Sequence, residues 1–468
     1  MSKSNEKEIP MPSIRLAIIP ILVVIIALTF SVFIFDAEPH IALFFGAATA
    51  GIVAFVHGYS WETIQSGFTE SVHRAIPSLL ILLIIGMIIG VWIASGIVPA
   101  LMYYGFELLL PQWFLPSILI LCSIMSVITG SSWTTVGTIG VAAIGVGQGL
   151  GIPAPAIAGT IVSGAFFGDK LSPMSDSTNL TPSVLGVDLY VHIKHMLFST
   201  VPSFLIALAM YTVLGFFLAE GSADPSIVAE YQDVIMENFN LSFLLIIPPI
   251  IVIALILFKV PAIPSLIAGV VLGGIMQITV QGQSVSEFFN ILYEGFSIST
   301  GWEEMDMLLT RGGMSSMYDV VSLALVALAF GGIMNRCKML DAIVSRLSRF
   351  LKSVGNLVTT TIGTSIFLNI FSANQYLAVI IPGQMYEDCY KAKGLKFNNL
   401  TRALEAGGTL TAPLIPWNSS GAFVLSVLSV NPLAYAPYAF ICWLTFIIVI
   451  FFGYKDITMD KTYEFEIE

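Results

Sequence analysis

The segment Gly164–Asn179 reads GAFFGDKLSPMSDSTN and sets two carboxylates, Asp169 and Asp176, among Ser172, Ser175, Ser177, Thr178 and Asn179. Oxygen donors of this kind suit a hard cation such as sodium, and backbone unwound around Pro173 frees carbonyls to join them. A carboxylate kept in a membrane is expensive, so it is normally retained for ion or proton handling. One that takes either a proton or a sodium ion couples the two by competition, which makes Asp169 and Asp176 candidate coupling groups and candidate sodium ligands. Their seven-residue spacing is about two helical turns, but the intervening proline breaks that register; it implies a shared cavity, not a shared face. The alternative is a cytoplasmic loop with an Asp169–Lys170 surface pair.

A second stretch, Gly407–Gly421, reads GGTLTAPLIPWNSSG and has no acid where the first has two, so charge handling should lean toward the first. Trp417, Asn418 and Ser419 are its candidate gate and ligands, unless its prolines mark only a packing kink. Glu405 stands just before it, as a second proton carrier or as an i,i+3 partner of Arg402. Two short polar segments complete the chemistry: Ser131, Ser132, Thr134 and Thr135 flanking Trp133, and Asn374 with Gln375. Helix starts there would offer N–H groups to an anion or hydroxyls to sodium; ordinary N-capping is the other use of such residues. The five histidines fall near expected membrane interfaces, with pH sensing open to His192 and His195.

These residues need elements to hold them. The chain has 468 residues, 56% hydrophobic and only 10% charged, with a mean hydropathy of +0.89. A soluble chain carries about 25% charged residues, so this is an all-α polytopic membrane protein surrounded by lipid, and its charge of -11 speaks against nucleic acid. Apolar runs near 16–35, 40–57, 77–97, 197–219, 241–258, 262–280, 319–335 and 435–453 are each long enough, or nearly so, to span the bilayer. Between Leu108 and Gly168 lie 61 residues without a charge or histidine, interrupted by Gly130 and by Pro153 and Pro155. A re-entrant hairpin followed by a broken helix fits that stretch, and 355–425 likewise. With both termini cytoplasmic, 17 of the 19 lysines and arginines fall on the inner side; Arg311 is outside, and Lys170 belongs to neither class of loop. Cys122, Cys337, Cys389 and Cys442 are scattered and have no metal-ligand spacing, so they count as packing residues. Neither cofactor nor catalysis is expected: no buried histidine stands ready as a base for Ser131 or Ser132.

The second half repeats the first. Gly90–Leu101 aligns with Gly332–Ile343 at an offset of 242, and Gly130–Trp133 with Ala373–Tyr376 and Gly164–Ser177 with Gly407–Ser420 at 243. Interruptions align with interruptions. Five crossings and one hairpin per half would invert the halves, with the first hairpin entering from outside and the second from the cytoplasm, a plan that suits alternating access better than a channel. The expected organisation is a tail at 1–13, a first repeat at 14–220, an acidic extracellular linker at 221–240, a second repeat at 241–454 and a tail at 455–468.

The order Ser-Ser-Trp-Thr-Thr, then GDKLSPMSDSTN, then Leu-Ile-Pro-Trp-Asn resembles the NhaC family of bacterial sodium/proton antiporters over nearly the whole chain. The resemblance implies a fold like the ion-transporter superfamily, sodium and protons as coupling ions at Asp169, Asp176 and the Ser131–Thr135 tip, and a bacterial plasma-membrane location. Within the family the chain looks closest to members that exchange malate and protons for sodium and lactate. Lys170 gives room for such an anion, while plain sodium/proton exchange stays open.

Overall fold

The computed structural model describes residues 11–35, 39–108, 110–173, 175–219, 225–258, 260–302, 305–306, 309–344 and 352–462. Both outer ends of the chain and the first residues of the expected linker, 221–224, lie outside the described residues. Among those described the chain is helical, with two isolated β-bridges and no strand. Among the described residues, seven helices are long and apolar enough to cross a membrane, or nine if each of two sharply bent pairs is one span. Backbone N–H and C=O groups have no water partner in lipid, which is why helices satisfying their own hydrogen bonds are the solution here.

Hydropathy locates the apolar part of a span and not the helix ends. The run expected from 77 belongs to a helix that begins at Trp61, capped by Ser60, and continues through Pro77 to Ala94. The run expected from 197 belongs to Leu189–Ala219. The linker itself holds a helix, Pro225–Asn238, whose described part turns by 100° into the next apolar helix. Tyr231 and Ile235 of this helix and Phe239 just after it are buried.

The site is positioned by two copies of one arrangement. The first arms of the two hairpins, Pro111–Thr129 and Val354–Ser372, have 19 residues each and lie 243 apart at both ends. Each ends in a left-handed residue, Gly130 (φ 66°) and Ala373 (φ 51°), followed by a capping residue, Ser131 and Asn374. The returning helices begin at Ala154 and Phe397, again 243 apart. Each lies against its own hairpin at backbone contact distance: a Cβ added at Gly164 would sit 2.7 Å from the Leu119 carbonyl oxygen, and one at Gly407 2.9 Å from that of Ile362. Small residues permit this approach in a membrane, where packing replaces the hydrophobic drive between helices. Even one hydrogen bond recurs in register: Ser126 Oγ donates to the Ala165 carbonyl at 2.5 Å, and Asn369 Nδ2 to the Gly408 carbonyl at 2.5 Å.

The copies differ where the breaks occur. In the first half the helix runs unbroken to Leu171, so Asp169 and Lys170 occupy its last turn, and the chain restarts as a helix at Asp176. In the second half the regular helix stops at Leu404, passes through a π-turn over Glu405–Thr409, and resumes only at Ser419. One proline interrupts the first; two adjacent glycines and two prolines loosen the second.

Candidate functional site

Asp169 is 4% exposed. Its Oδ2 accepts from Ser132 Oγ of the first hairpin tip at 2.7 Å, and its main-chain carbonyl accepts from Thr178 Oγ1 at 3.0 Å. Its Oδ1 is buried with no hydrogen-bond partner. The residue also sits at the negative end of a helix, which favours a cation nearby. An unsatisfied buried polar atom costs on the order of 1–3 kcal/mol, and more for a charged group, so a carboxylate oxygen left open here is a place for a proton or a cation. Asp176 is exposed; Oδ1 accepts from the Ser177 N–H at 2.9 Å and Oδ2 from the Tyr376 hydroxyl at 2.5 Å. Of the charged groups acting on Asp169, Asp176 is felt most and Glu405 next.

Glu405 is fully buried in the π-turn, a departure from regular helix that often marks functional positions. Thr181, on the helix that restarts the first half, donates to its Oε1 at 2.5 Å, while Oε2 has no well-formed hydrogen bond and the Thr409 hydroxyl stands beside the carboxylate. Lys170 is also fully buried, its ammonium has no hydrogen-bond partner, and the charge it feels most is Glu405. Asp169, Lys170 and Glu405 are thus three buried ionisable residues, contributed by both halves and close enough to act on one another electrostatically. Around them the polar backbone is tied down: Asn369 Nδ2 reaches the Gly408 carbonyl and Thr411 Oγ1, and Asn418 Nδ2 reaches Asn369 in turn.

Hairpin tips cross between halves. The Trp133 ring stacks on Phe423 of the second half, with centroids 4.4 Å apart and planes at 8°. Tyr376 bonds Asp176 of the first. Beside them a cavity of about 30 Å³, lined by Trp133, Asn374, Gln375, Tyr376, Ser419 and apolar residues of Trp61–Ala94 and Tyr318–Arg336, has room for a water.

Set beside known sequences, this arrangement has a family. The model of the Na+/H+ antiporter family matches residues 9–178 and 164–456. The chain belongs to the Na+/H+ antiporter family. It is 39% identical over 432 residues to the Na+/H+ antiporter NhaC of Alkalihalophilus pseudofirmus, covering 92% of this chain and 93% of that protein. It is 37% identical over 449 residues to the malate-2H+/Na+-lactate antiporter of Bacillus subtilis, covering 96% of each. The arginine/ornithine antiporter ArcD of Halobacterium salinarum is 36% identical over 446 residues, covering 95% of this chain and 92% of that protein. The antiporter is thus a multi-pass membrane protein with relatives named for different cargoes.

Within the antiporter the expected residues divide by task. Ser132 touches the inner acid, whereas Ser131 caps the helix that follows by accepting from the Thr134 N–H at 3.1 Å, and Thr135 Oγ1 donates to the Ser131 carbonyl. Ser175, Asn374 and Asn418 are likewise caps. Ser172, Ser177 and Thr178 are buried at the first break, while Asn179 is exposed and spends its amide on the Pro173 and Ser175 carbonyls. Gln375 accepts from Ser420 Oγ at 3.3 Å. The Trp417 indole N–H is committed to the Ile370 carbonyl at 2.7 Å, which anchors the kink.

Two alternatives are not realised. Asp169 and Lys170 do not form a surface pair, because both are buried. Arg402 does not pair with Glu405: its guanidinium turns to Thr458 Oγ1 at 2.9 Å and Met459 Sδ at 3.2 Å, over the Phe452 ring. His192 and His195 are buried too, bonded to Thr401 Oγ1 and the Thr458 carbonyl. Tyr376, Thr181, Thr409 and Asn369 were not among the sequence candidates. Tyr376 had a signal, its alignment with Trp133 at a polar tip; Thr181 and Asn369 act through partners remote in sequence, and Thr409 stands four residues after Glu405.

Proposed function

We propose that this chain exchanges sodium for protons across the bacterial plasma membrane at the buried group formed by Asp169, Lys170 and Glu405, with Asp176 at its exposed approach. The observation that carries this is the set of buried, unpartnered polar atoms on all three residues, Asp169 Oδ1, Lys170 Nζ and Glu405 Oε2, gathered between two interrupted helices. Such a group is costly unless an ion or proton completes it. Sodium reaches Asp169 past Asp176, with Ser132 and main-chain carbonyls as further oxygen ligands; proton loading displaces it. The two halves are read as inverted repeats that rock about this centre, both termini being cytoplasmic.

The test is sodium efflux and accompanying proton uptake by purified protein in liposomes. Asp169→Asn and Glu405→Gln should each cut exchange at least a hundredfold while the protein inserts normally. Wild-type sodium affinity and pH response in either variant would remove that residue from the site.

A second reading adds an organic cargo. It is favoured by the buried, unpartnered Lys170 ammonium, which a substrate carboxylate could meet, and by the relatives named for malate, lactate and amino acids. On that reading Lys170→Gln cripples labelled malate and lactate uptake. Full sodium efflux with no carboxylate on either side of the membrane would count against obligatory exchange of this kind.

A further inference from the structure

We infer that Tyr376 is a latch that holds the ion-free carrier, letting go of Asp176 when a sodium ion or a proton arrives. The inference rests on the proposed passage of ions by Asp176, and begins with how Tyr376 is held. Asn374 caps the second arm of its hairpin by accepting from the Tyr376 N–H at 2.8 Å and the Leu377 N–H at 3.4 Å, so the ring projects from a fixed tip. From there the hydroxyl donates to Asp176 Oδ2 across 200 residues of sequence, tying the second hairpin to the first break. The equivalent aromatic of the other hairpin, Trp133, also crosses to the opposite half, but onto the apolar ring of Phe423. Only the crossing that meets a carboxylate carries a hydroxyl.

A hydroxyl donating to a carboxylate makes a charge-assisted bond, roughly twice as strong as a neutral one. It is therefore strongest when Asp176 is ionised and empty. A proton on the carboxyl neutralises the acceptor, and a sodium ion competes for the same oxygen. Either one weakens the tie between halves, whereas the empty site keeps it. An antiporter requires that discrimination, since a carrier that returns empty lets sodium run down without proton counterflow. The cavity of about 30 Å³ next to Tyr376 gives the released hydroxyl or a water a place to go.

Tyr376 is thus a positioning residue, and Tyr376→Phe removes one oxygen while keeping the ring. In liposomes the variant should lower the apparent sodium KM at least threefold, because the ion no longer competes with a donor. It should also raise the number of sodium ions released per proton taken up at least twofold. Phe423→Leu loosens the other crossing without touching an acid or a hairpin tip and should leave both quantities within twofold of wild type. An unchanged KM and ratio in Tyr376→Phe overturns the latch, as does an equal change in Phe423→Leu. Asp176→Asn separates the two levels of argument. If it raises the sodium KM tenfold while Tyr376→Phe does nothing, only the latch fails. If Asp176→Asn leaves sodium handling intact, the proposed ion passage fails and the latch with it.

Discussion

Ser131 and Ser132 show how adjacent hydroxyls take unlike work. Ser132 Oγ donates to Asp169 at 2.7 Å, and a hydrogen bond to a charged group contributes about 1.5–3 kcal/mol. Because Ser132 Oγ is also an oxygen ligand to sodium in the proposed site, Ser132→Ala removes that ligand and should weaken apparent sodium affinity, read as a higher sodium KM. Ser131 caps a helix, so Ser131→Ala should leave sodium affinity near wild type and lower folding stability by about 1 kcal/mol, read as a fall in melting temperature in detergent. Equal transport phenotypes would mean that the tip acts as a unit. The acids and hydroxyls of the first break were legible in the sequence because a charge inside a long apolar run has to be explained. Thr181 was not, since a threonine inside a short helix looks like packing, and Tyr376 only in part, as the counterpart of Trp133 at a polar tip. Their roles depend on Glu405 and Asp176, more than two hundred and two hundred residues away. Lys170 was singled out as unplaced in any loop, yet its neighbour in the other half, Glu405, could not be read from sequence spacing.

At the level of elements, the glycines opposite the hairpins fix how close each returning helix lies, and hence where the acids stand. A methyl group at Gly164 would press on the Leu119 carbonyl at 2.7 Å and on Cys122 Cβ at 2.8 Å. Because backbone cannot yield as a flexible side chain does, Gly164→Ala should cost about 1–3 kcal/mol of stability. It also displaces the helix that carries Asp169, so the thermal shift should come with a higher sodium KM; a normal KM would show that the site tolerates the shift. The interruptions that disclosed the repeat in the sequence correspond to hairpin ends and helix restarts in the structure, since glycine, proline and capping residues act locally. What spacing concealed was the unequal depth of the two breaks. Glu405 leaves the regular helix well before the residue that aligns with Asp169, because the Gly407–Gly408 pair and Pro413 loosen the second copy earlier than Pro173 loosens the first.

For the whole molecule, the matched hairpins and returning helices leave one property of the proposal open to direct measurement, the orientation of the second half. On that proposal, five crossings and a hairpin in each half would place the segment around Val285–Glu294 outside and the turn after Ala392 in the cytoplasm. Ser286 and Lys393 are exposed in these two places, and their surroundings accord with the assignment. The capping box Ser284/Glu287 closes a helix with no buried residue, while Lys393 lies in a stretch with Lys391 and Lys396, as expected of an inner-side loop. In a variant with Cys389 replaced by serine, Ser286→Cys should react with a membrane-impermeant maleimide added to intact cells. Lys393→Cys should react only in inside-out vesicles. Reaction of position 393 from outside, with position 286 protected, would reverse the orientation. Reaction of both from one side would overturn the crossing and re-entrant hairpin placed between them in the second half, because one crossing followed by a hairpin that returns to its own side must leave the two positions on opposite faces of the membrane.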